Sequence, residues 1–292
     1  MISRDDAFTA TRPLLFSIAY RMLGSVMDAE DLVQDTYVRW RQAPNAEVRS
    51  PRSYLATIIT RLAINHLNSA RVQRETYMGP WLPEPLVTEK APEPSSPAEV
   101  KESLSMAFLL LLERLSPVER AVFLLREVFD FDYEEIARII DKSEANCRQL
   151  LARAKKHVEA SRTRFEADPA QAAQLVERFT QAAEAGNLDG LRALLAADIT
   201  LWADGGGKVP GAALNLIHGA DDVARFFVGV MGRFVPAGTT IRLTEINGQP
   251  GFIAYSSGRP QAVLVFDIQG QRIHSVYAVG NPDKLQRLPA ER

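Results

Sequence analysis

The sequence of 292 residues contains a single cysteine, Cys147, and this scarcity excludes several protein classes. One thiol cannot form an intramolecular disulfide bond, and a zinc site built from several cysteines is impossible. The sequence also lacks a run of about 18 apolar residues, so we expect no membrane-spanning helix. Its first ten residues, MISRDDAFTA, lack the apolar stretch of a signal peptide. These absences predict a cytoplasmic protein in a reducing compartment.

A surplus of charge of one sign is missing as well, because 34 basic side chains stand against 36 acidic ones. This balance argues against a uniformly basic nucleic-acid binder. The charges are nevertheless unevenly distributed. The segments 49–74 and 142–164 each carry five more basic than acidic groups, whereas 28–35 has four acidic groups and no basic one. Two local basic surfaces are therefore compatible with the near-neutral total.

Prolines divide the chain into segments. Six of the 17 prolines lie between residues 77 and 97, a density that prevents a helix and favours extended chain. Asp168-Pro169 marks a second, weaker boundary. We therefore predict four segments: 1–75, a proline-rich linker over 76–100, 101–165, and 166–292.

Apolar residues at helical spacing run through the first segment. They predict helices at Phe8–Leu23, at Ala29–Gln42 with Asp28 as the N-cap, and from Pro51 to about Arg71. The second of these helices is acidic on one side, and the third carries a polar stripe. The first segment is therefore expected to be all-α.

The third segment has the order of a helix-turn-helix. Capping boxes at 116–119 and 132–135 begin two helices, and Asp141-Lys142 turns the chain before a helix capped by Ser143. Cys147 falls on the apolar side of that last helix and is expected in the core. The opposite, basic side suits base edges and phosphates, although a solvated surface helix has the same pattern. The candidate DNA-binding residues are Glu144, Ala145, Arg148, Gln149, Arg153, Lys155 and Lys156.

The fourth segment combines helices with β-rich runs. Helices are predicted at Gln171–Ala185, Leu188–Leu195 and Asp221–Phe234. Strands are predicted at 199–203, 239–246, 252–256, 262–268 and 273–279. Helices followed by hairpin-spaced strands predict an α+β domain with an antiparallel sheet.

Three stretches resemble the conserved regions of bacterial sigma factors. Residues 28–37, DAEDLVQDTY, resemble the helix that binds core RNA polymerase. Residues 52–67 look like the helix that opens and reads the −10 promoter element, and 133–156 is similar to the region that reads the −35 element. Two such domains on one short chain, matching over about residues 5–160, resemble the extracytoplasmic-function class.

The resemblance implies partners and residues. The acidic helix would bind the clamp of the largest polymerase subunit, through Asp28, Glu30, Asp31, Gln34 and Asp35. The single-stranded −10 element would be bound by Arg49, Arg52, Tyr54, Arg61, Asn65, Asn68 and Arg71. The helix-turn-helix would bind the −35 element as duplex.

Three further segments resemble one subgroup of that class, in which a SnoaL-like domain follows the second DNA-binding domain. The resemblance implies two all-α sigma domains followed by an α+β SnoaL-like cone or barrel. It also implies regulation in cis, with the C-terminal domain packed on the linker and Trp81 as anchor. The residues implied are Trp81, Leu82, Pro83, Glu84, Pro85, Asp204, Gly205, Gly206, Gly207, Lys208, Asn281, Pro282, Asp283 and Lys284.

A SnoaL-like cone encloses a pocket, and some such domains are enzymes that use an acid–base pair. Asp204, His218, Asp267 and His274 are the candidates here, but the histidines lack triad or metal spacing. We therefore expect no enzyme, no cofactor and no metal, with a small-molecule ligand in the pocket left open. The alternatives to a cis-inhibited sigma factor are a ligand-sensing helix-turn-helix transcription factor, a DNA-tethered SnoaL-type enzyme, and a C-terminal domain that activates.

Overall fold

The computed structural model describes residues 3–43, 50–88, 104–159 and 168–291, excepting the side chains of 70–75, 159 and 169. The chain forms two compact units. The first comprises Met1–Glu75 with Phe108–Arg162, and the second comprises Thr76–Ala107 with Thr163–Arg292. The segment between the two helical regions thus belongs with the C-terminal unit. In the described ranges, no helix is long and apolar enough to cross a membrane.

Three helices begin the first unit: α1 (Arg4–Leu23), α2 (Val26–Gln42) and α3 (Pro51–Glu75). Helix α1 ends at Gly24, whose φ of 66° places it in the left-handed region that glycine adopts without strain. The predicted N-cap of α2 is wrong. The Ser25 hydroxyl accepts the hydrogen bond from the Asp28 amide at 3.1 Å, so the helix begins earlier and Asp28 lies in its first turn.

The second half of this unit contains α4 (Met106–Leu112), whose first two residues belong to the second unit, followed by α5 (Pro117–Phe123), a π-helical turn (Leu124–Val128), α6 (Tyr133–Ile140) and α7 (Glu144–Glu159). Both predicted capping boxes are present, at Ser116 and at Asp132. Helix α6 ends at Asp141, which has a φ of 54°, and α7 follows after a short turn. The helix-turn-helix predicted from the sequence is therefore formed by α6 and α7.

A buried arginine joins the two halves of the first unit. Arg120 of α5 is 3% exposed, and its guanidinium donates to the main-chain oxygen of Met22 in α1 and to the Glu113 carboxylate. Burial lowers the pKa of Arg120 to about 10, so the side chain stays protonated at neutral pH. The contact between α1 and α5 therefore contains a desolvated charge.

The described part of the second unit contains helices and a sheet: α8 (Pro169–Glu184), α9 (Leu188–Leu194), β1 (Leu195–Asp204), β2 (Ile217–His218), α10 (Ala220–Arg233), β3 (Thr240–Ile246), β4 (Gln249–Ser256), β5 (Arg259–Gln269) and β6 (Arg272–Val279). A 3-10 turn, Pro282–Lys284, follows. The strand order is β2-β1-β6-β5-β4-β3. The predicted all-antiparallel sheet is wrong at one pair, because β1 and β6 are parallel.

Helices α8 and α10 contribute to the core on one face of this sheet. The Phe179 ring of α8 meets Phe227 of α10 and Phe266 of β5 edge-on, with ring centroids 4.9 and 5.1 Å apart. Leu264 and Phe252 belong to the same core. Helices covering one face of a mostly antiparallel sheet make this unit an α+β domain, as predicted.

Candidate functional site

The acidic face of α2 is partly paired and partly exposed. Glu30 forms an ion pair with Arg12, and the Asp28 carboxylate lies 3.6 Å from the His66 ring nitrogen. Asp31, Gln34 and Asp35 are exposed. Positions i, i+3 and i+4 share one face of a helix, so these last three side chains form a polar ridge open to solvent.

Arg61 of α3, expected to contact DNA, is bonded to the helix-turn-helix. Its Nε donates to the main-chain oxygen of Ile139 at 2.8 Å, and its Nη2 to that of Arg138 at 2.9 Å. Carbonyls in the last turn of a helix have no partner within the helix. The guanidinium therefore caps the C-terminus of α6, and α3 is held against it. Asn65 and Asn68 on the same stripe are exposed.

Two more side chains of α3 reach the same region. Arg52 donates to the main-chain oxygen of Phe129 at 3.2 Å and stacks over the Phe131 ring at 4.5 Å. The Ser53 hydroxyl donates to the Glu135 carboxylate at 2.6 Å. Tyr54 is half-buried, with its ring beside Trp40. Arg49 and the side chain of Arg71 lie outside the described residues.

Helix α7 presents the predicted basic face. Arg148 pairs with Glu144 at 2.7 Å and lies over the Tyr133 ring, and Lys155 pairs with Glu127 at 2.8 Å. The other predicted members of this face are exposed: Ala145, Gln149, Arg153 and Lys156. On the opposite side Cys147 is fully buried, and burial raises the pKa of its thiol. That cysteine is a core residue, as predicted.

The second unit holds the linker through a buried carboxylate. Asp204, 1% exposed, accepts hydrogen bonds from the Tyr77 hydroxyl and the Gly206 amide on Oδ1. Its Oδ2 accepts from the Leu82 amide at 2.8 Å and from the Lys284 ammonium at 2.7 Å. Four donors, one of them charged, satisfy the carboxylate. Two of the four come from the linker.

Lys284 and the linker aromatics complete this cluster. The ammonium also donates to the main-chain oxygen of Leu82 and lies 4.4 Å from the Trp81 ring and 5.0 Å from the Tyr77 ring. The Lys284 side chain is only 9% exposed. Trp81 is half-buried, whereas Leu82 is fully buried. Leu82 therefore enters the domain and Trp81 covers the ammonium.

The glycine run permits the close approach of these segments. Gly206 has a φ of 57°, and a Cβ there would lie 2.4 Å from the Asn281 side-chain nitrogen. That nitrogen donates to the Tyr77 hydroxyl at 2.8 Å. Gly207 has a φ of 71°, and a Cβ there would lie 2.9 Å from the Met78 sulfur. Only glycine fits both the backbone conformation and the space at these positions.

The remaining predicted contact residues lie around this cluster. Lys208 and Asp283 form an exposed ion pair. Gly205 is buried against Ala212, and Pro282 begins the 3-10 turn. Three linker residues are buried: Pro83, Glu84 and Pro85. We name the cluster of Tyr77, Trp81, Leu82, Asp204, Gly206, Asn281 and Lys284 the linker lock.

A second contact between linker and domain has no counterpart in the predictions. The Leu86 amide donates to the Asn247 side-chain oxygen at 2.9 Å, and the Asn247 amide donates to the Leu86 oxygen at 2.8 Å. Val87 bridges Ile246, and the Thr88 amide donates to the Glu245 oxygen at 3.0 Å. The linker thus pairs with the end of β3 as a short added strand.

The turn between β3 and β4 also binds the chain where the linker ends. Asn247, with a φ of 54°, donates from its side chain to the Leu104 oxygen at 3.0 Å. The Gln249 side chain accepts from the Met106 amide at 2.9 Å. Asn247-Gly248 is a hairpin sequence, which indicates the turn. The dipeptide does not indicate which group the Asn247 side-chain amide binds.

The four candidate acid–base residues are not assembled as a catalytic site. The linker lock occupies Asp204, and His218 lies exposed on β2. His274 lies near Asp198, and Asp267 is buried with its Oδ1 lacking a hydrogen-bond partner. None of the four lines the cavity of about 590 Å³ found in this unit.

Burial raises the pKa of Asp267 to about 6, while positive charge at His274 and a hydrogen bond with Gln269 act in the opposite direction. An acid whose pKa rises on folding is most stabilising when protonated, so its contribution is lost as the pH rises from about 4 to 6. We expect Asp267→Asn to stabilise the protein by about 1–3 kcal/mol at pH 7.5. The gain should shrink towards zero as the pH approaches about 4.

Thermal unfolding followed by circular dichroism between pH 4.5 and 7.5 would measure this difference. Asp198→Asn is the matched control, because Asp198 is largely exposed and should behave like wild type. A stability difference for Asp267→Asn that does not vary with pH would contradict the prediction.

Comparisons with known proteins cover nearly the whole chain. The Sigma-70 region 2 family model matches residues 7–72, and the Sigma-70 region 4 model matches residues 105–158. The ECF RNA polymerase sigma factor SigJ of Mycobacterium tuberculosis is 36% identical, with 97% of this chain and 93% of SigJ covered. The probable ECF RNA polymerase sigma factor SigI of the same species is 29% identical, with 98% and 96% covered.

A solved structure extends this similarity to the fold. The crystal structure of the M. tuberculosis extracytoplasmic function sigma factor SigJ matches with a TM-score of 0.77 and 34% identity. The match covers 97% of this chain and 99% of that one. The similarity therefore includes the second unit as well as the helical first unit.

Proposed function

Since the chain belongs to the extracytoplasmic-function (ECF) family of RNA polymerase sigma factors, we propose a role in transcription initiation for each of its surfaces. Sigma factors bind core RNA polymerase and promoter DNA and direct initiation, and that is the function of this chain. Family membership confirms the resemblance and the predicted fold class, with two helical sigma domains and an α+β SnoaL-like domain. Sigma factors are not enzymes. We propose that it acts in the cytoplasm, where polymerase transcribes.

We propose that the acidic face of α2 binds the clamp of the largest polymerase subunit. The exposed ridge of Asp31, Gln34 and Asp35 supports this, because it offers two solvent-exposed carboxylates on one helical face. Asp28 and Glu30 border the ridge and already face His66 and Arg12. Complementary charge accelerates association and fixes orientation more than it adds affinity.

For promoter DNA we propose two surfaces. Helix α3 would bind the single-stranded −10 element, with arginines for phosphates and Tyr54 and the asparagines for bases. Helix α7 would lie in the major groove of the −35 element, where Arg148 and Gln149 suit base edges and Arg153 suits phosphate. The exposure of Gln149 and Arg153 supports this assignment.

One observation carries the proposal of regulation within the chain. Arg61, a −10 candidate, donates both of its described hydrogen bonds to carbonyls at the end of α6. A promoter strand would have to compete with these two bonds for the Arg61 guanidinium. Arg52 and Ser53 add further contacts between α3 and the helix-turn-helix. In this arrangement the proposed −10 surface is partly occupied by the −35-binding domain.

The second unit would stabilise that closed arrangement through the linker. The linker connects α3 to α4, and it is held at the linker lock and again at β3. A linker fixed at two places limits how far the two sigma regions can separate. Because the −10 and −35 elements are separate stretches of DNA, we propose that promoter binding requires release of the linker.

Reconstituted transcription with purified core polymerase tests this function. A promoter library with randomised −35 bases would identify the preferred element. We expect Arg148→Ala to lower the preference at one or two base pairs by about 1–3 kcal/mol, because a bidentate contact to a base edge has that magnitude. Abundance of each transcript, determined by sequencing, gives the measurement.

Arg153→Ala is the matched comparison. A lost phosphate contact should weaken all promoters to a similar degree without changing the preferred sequence. Equal effects of the two substitutions on sequence preference would contradict the assignment of Arg148. Failure of the wild-type protein to stimulate core polymerase on any library member would contradict the proposed function itself.

A further inference from the structure

The second unit contains a cavity that its linker contacts do not use. The cavity has a volume of about 590 Å³, within the range of small-molecule sites, and it lies between α8, α10 and the sheet. Large apolar side chains dominate its lining: Phe179, Phe227, Met231, Ile241, Phe252 and Leu264.

The polar groups of the lining are few and largely satisfied. The Thr180 hydroxyl donates to the Val176 oxygen at 3.0 Å, and the Thr239 hydroxyl donates to the Pro236 oxygen at 2.7 Å. Both can still accept a hydrogen bond. Among the described residues that line it, Glu184 is the only charged one, and it is exposed. No lysine, arginine or histidine of the described chain lines the cavity, so an anionic ligand would meet no positive charge.

We propose that this cavity binds a neutral, predominantly hydrocarbon small molecule. Transfer of apolar surface from water into the cavity is favourable by roughly 25 cal/mol per Å². A charged ligand would lose its hydration without a compensating partner. The inference rests on the proposed regulatory role of the second unit and specifies the chemistry to which that unit responds.

A segment of this chain is a poorer occupant than a separate molecule. The internal segments outside the described residues are 44–49, 89–103 and 160–167, and together they contain one aromatic residue, Phe165. Each of them includes charged residues. Inserting such a segment would bring charge into a cavity that offers no countercharge, whereas a neutral apolar molecule carries none.

The cavity and the linker share a strand. Ile241, near the start of β3, lines the cavity, and Glu245 and Ile246 at the end of the same strand pair with the linker. Phe252 of β4 lines the cavity and pairs with Leu243 of β3. Through this shared strand, ligand binding would change the free energy of linker seating. The seated linker would change the affinity for the ligand by the same factor, since coupling between two sites is reciprocal.

Binding of a matched pair of fluorescent probes to the full-length protein tests the proposal. N-phenyl-1-naphthylamine is neutral, and 8-anilinonaphthalene-1-sulfonate has nearly the same rings with one added sulfonate. We expect saturable, one-to-one binding of the neutral probe. The affinity of the sulfonate probe should be lower by a factor of about ten or more. Equal affinity of the two probes would overturn the proposed ligand class.

Substitutions that fill the cavity locate the site. Ala254 and Ala262 line it, so Ala254→Phe should weaken binding of the neutral probe by about tenfold or more, and Ala262→Phe provides a second variant if the first unfolds. Ala173→Phe is the matched control, because Ala173 lines a different cavity of about 370 Å³. Melting temperatures verify folding. Unchanged binding in both folded filling variants, or no binding to wild type, would overturn the site.

A separate experiment measures the coupling between the cavity and the linker. The rate of protease cleavage within residues 76–97 should change at least about twofold with the neutral probe in wild type and not in Ala254→Phe. An unchanged rate in wild type with the probe bound would overturn the coupling. Promoter-dependent transcription by the wild-type protein without the probe tests the proposed function separately.

Discussion

Asp204→Asn is expected to free the linker and to raise promoter output of the full-length protein about tenfold. Removing one partner of a buried ion pair costs about 3–5 kcal/mol, and about 1.4 kcal/mol already changes an equilibrium tenfold. The asparagine side chain has one acceptor oxygen where the carboxylate has two. Its NH₂ group would face either Tyr77 and Gly206 or Leu82 and Lys284, which are all donors.

Run-off transcription with purified core polymerase would measure the output, and protease cleavage within residues 76–88 would measure linker release. Asp283→Asn is the matched control, because its ion pair with Lys208 is exposed, and such pairs contribute about 0–1 kcal/mol. Normal cleavage and normal output in a folded Asp204→Asn protein would exclude the linker lock as a restraint. Faster cleavage with lower output would identify the second unit as an activator instead.

Arg120→Ala is expected to lower the free energy of unfolding of the protein by about 2–4 kcal/mol. The substitution removes a buried charge from the Met22 carbonyl and the Glu113 carboxylate and leaves a cavity between α1 and α5. Chemical denaturation followed by circular dichroism would give the difference. The slope of the transition should remain unchanged, since the folded structure is otherwise the same.

Two further substitutions separate the causes. Arg120→Met retains most of the volume without the charge, so it should lose less than half as much stability as Arg120→Ala. Arg114→Ala, at an exposed position nearby, should be close to neutral. Equal losses for the methionine and alanine variants would show that the hydrogen bonds, and not the packing, dominate this contact.

Local chemistry made the helices of the first unit predictable. A capping box is decided by residues three positions apart, so Ser116 and Asp132 indicate their helices without knowledge of the rest of the fold. The wrong prediction of Asp28 as the N-cap of α2 also comes from reasoning on local sequence alone. Ser25 and Asp28 are both favourable N-cap residues, and the sequence alone does not show at which of them α2 begins.

Contacts between residues far apart in the sequence were harder to predict. The parallel pairing of β1 with β6 joins strands about 75 residues apart, and no local pattern encodes it. The linker lock could be predicted in outline because three signature segments resemble a known subgroup. The role of Tyr77 in it could not be predicted. The same is true of Asn247, whose side-chain amide binds a main-chain oxygen more than 140 residues away. Such partners follow only from the assembled fold.

The seating of the linker on β3 has a consequence for solubility. Strand β3 is the last of the described strands in its sheet, and its Leu243 is 41% exposed. An uncovered edge strand offers unpaired amides and carbonyls to other chains and promotes aggregation. Release of the linker also uncovers the end of β3 that pairs with it, at Glu245 and Ile246. An opened molecule without polymerase is therefore expected to be lost to self-association, so opening is best tolerated when the partner is already present.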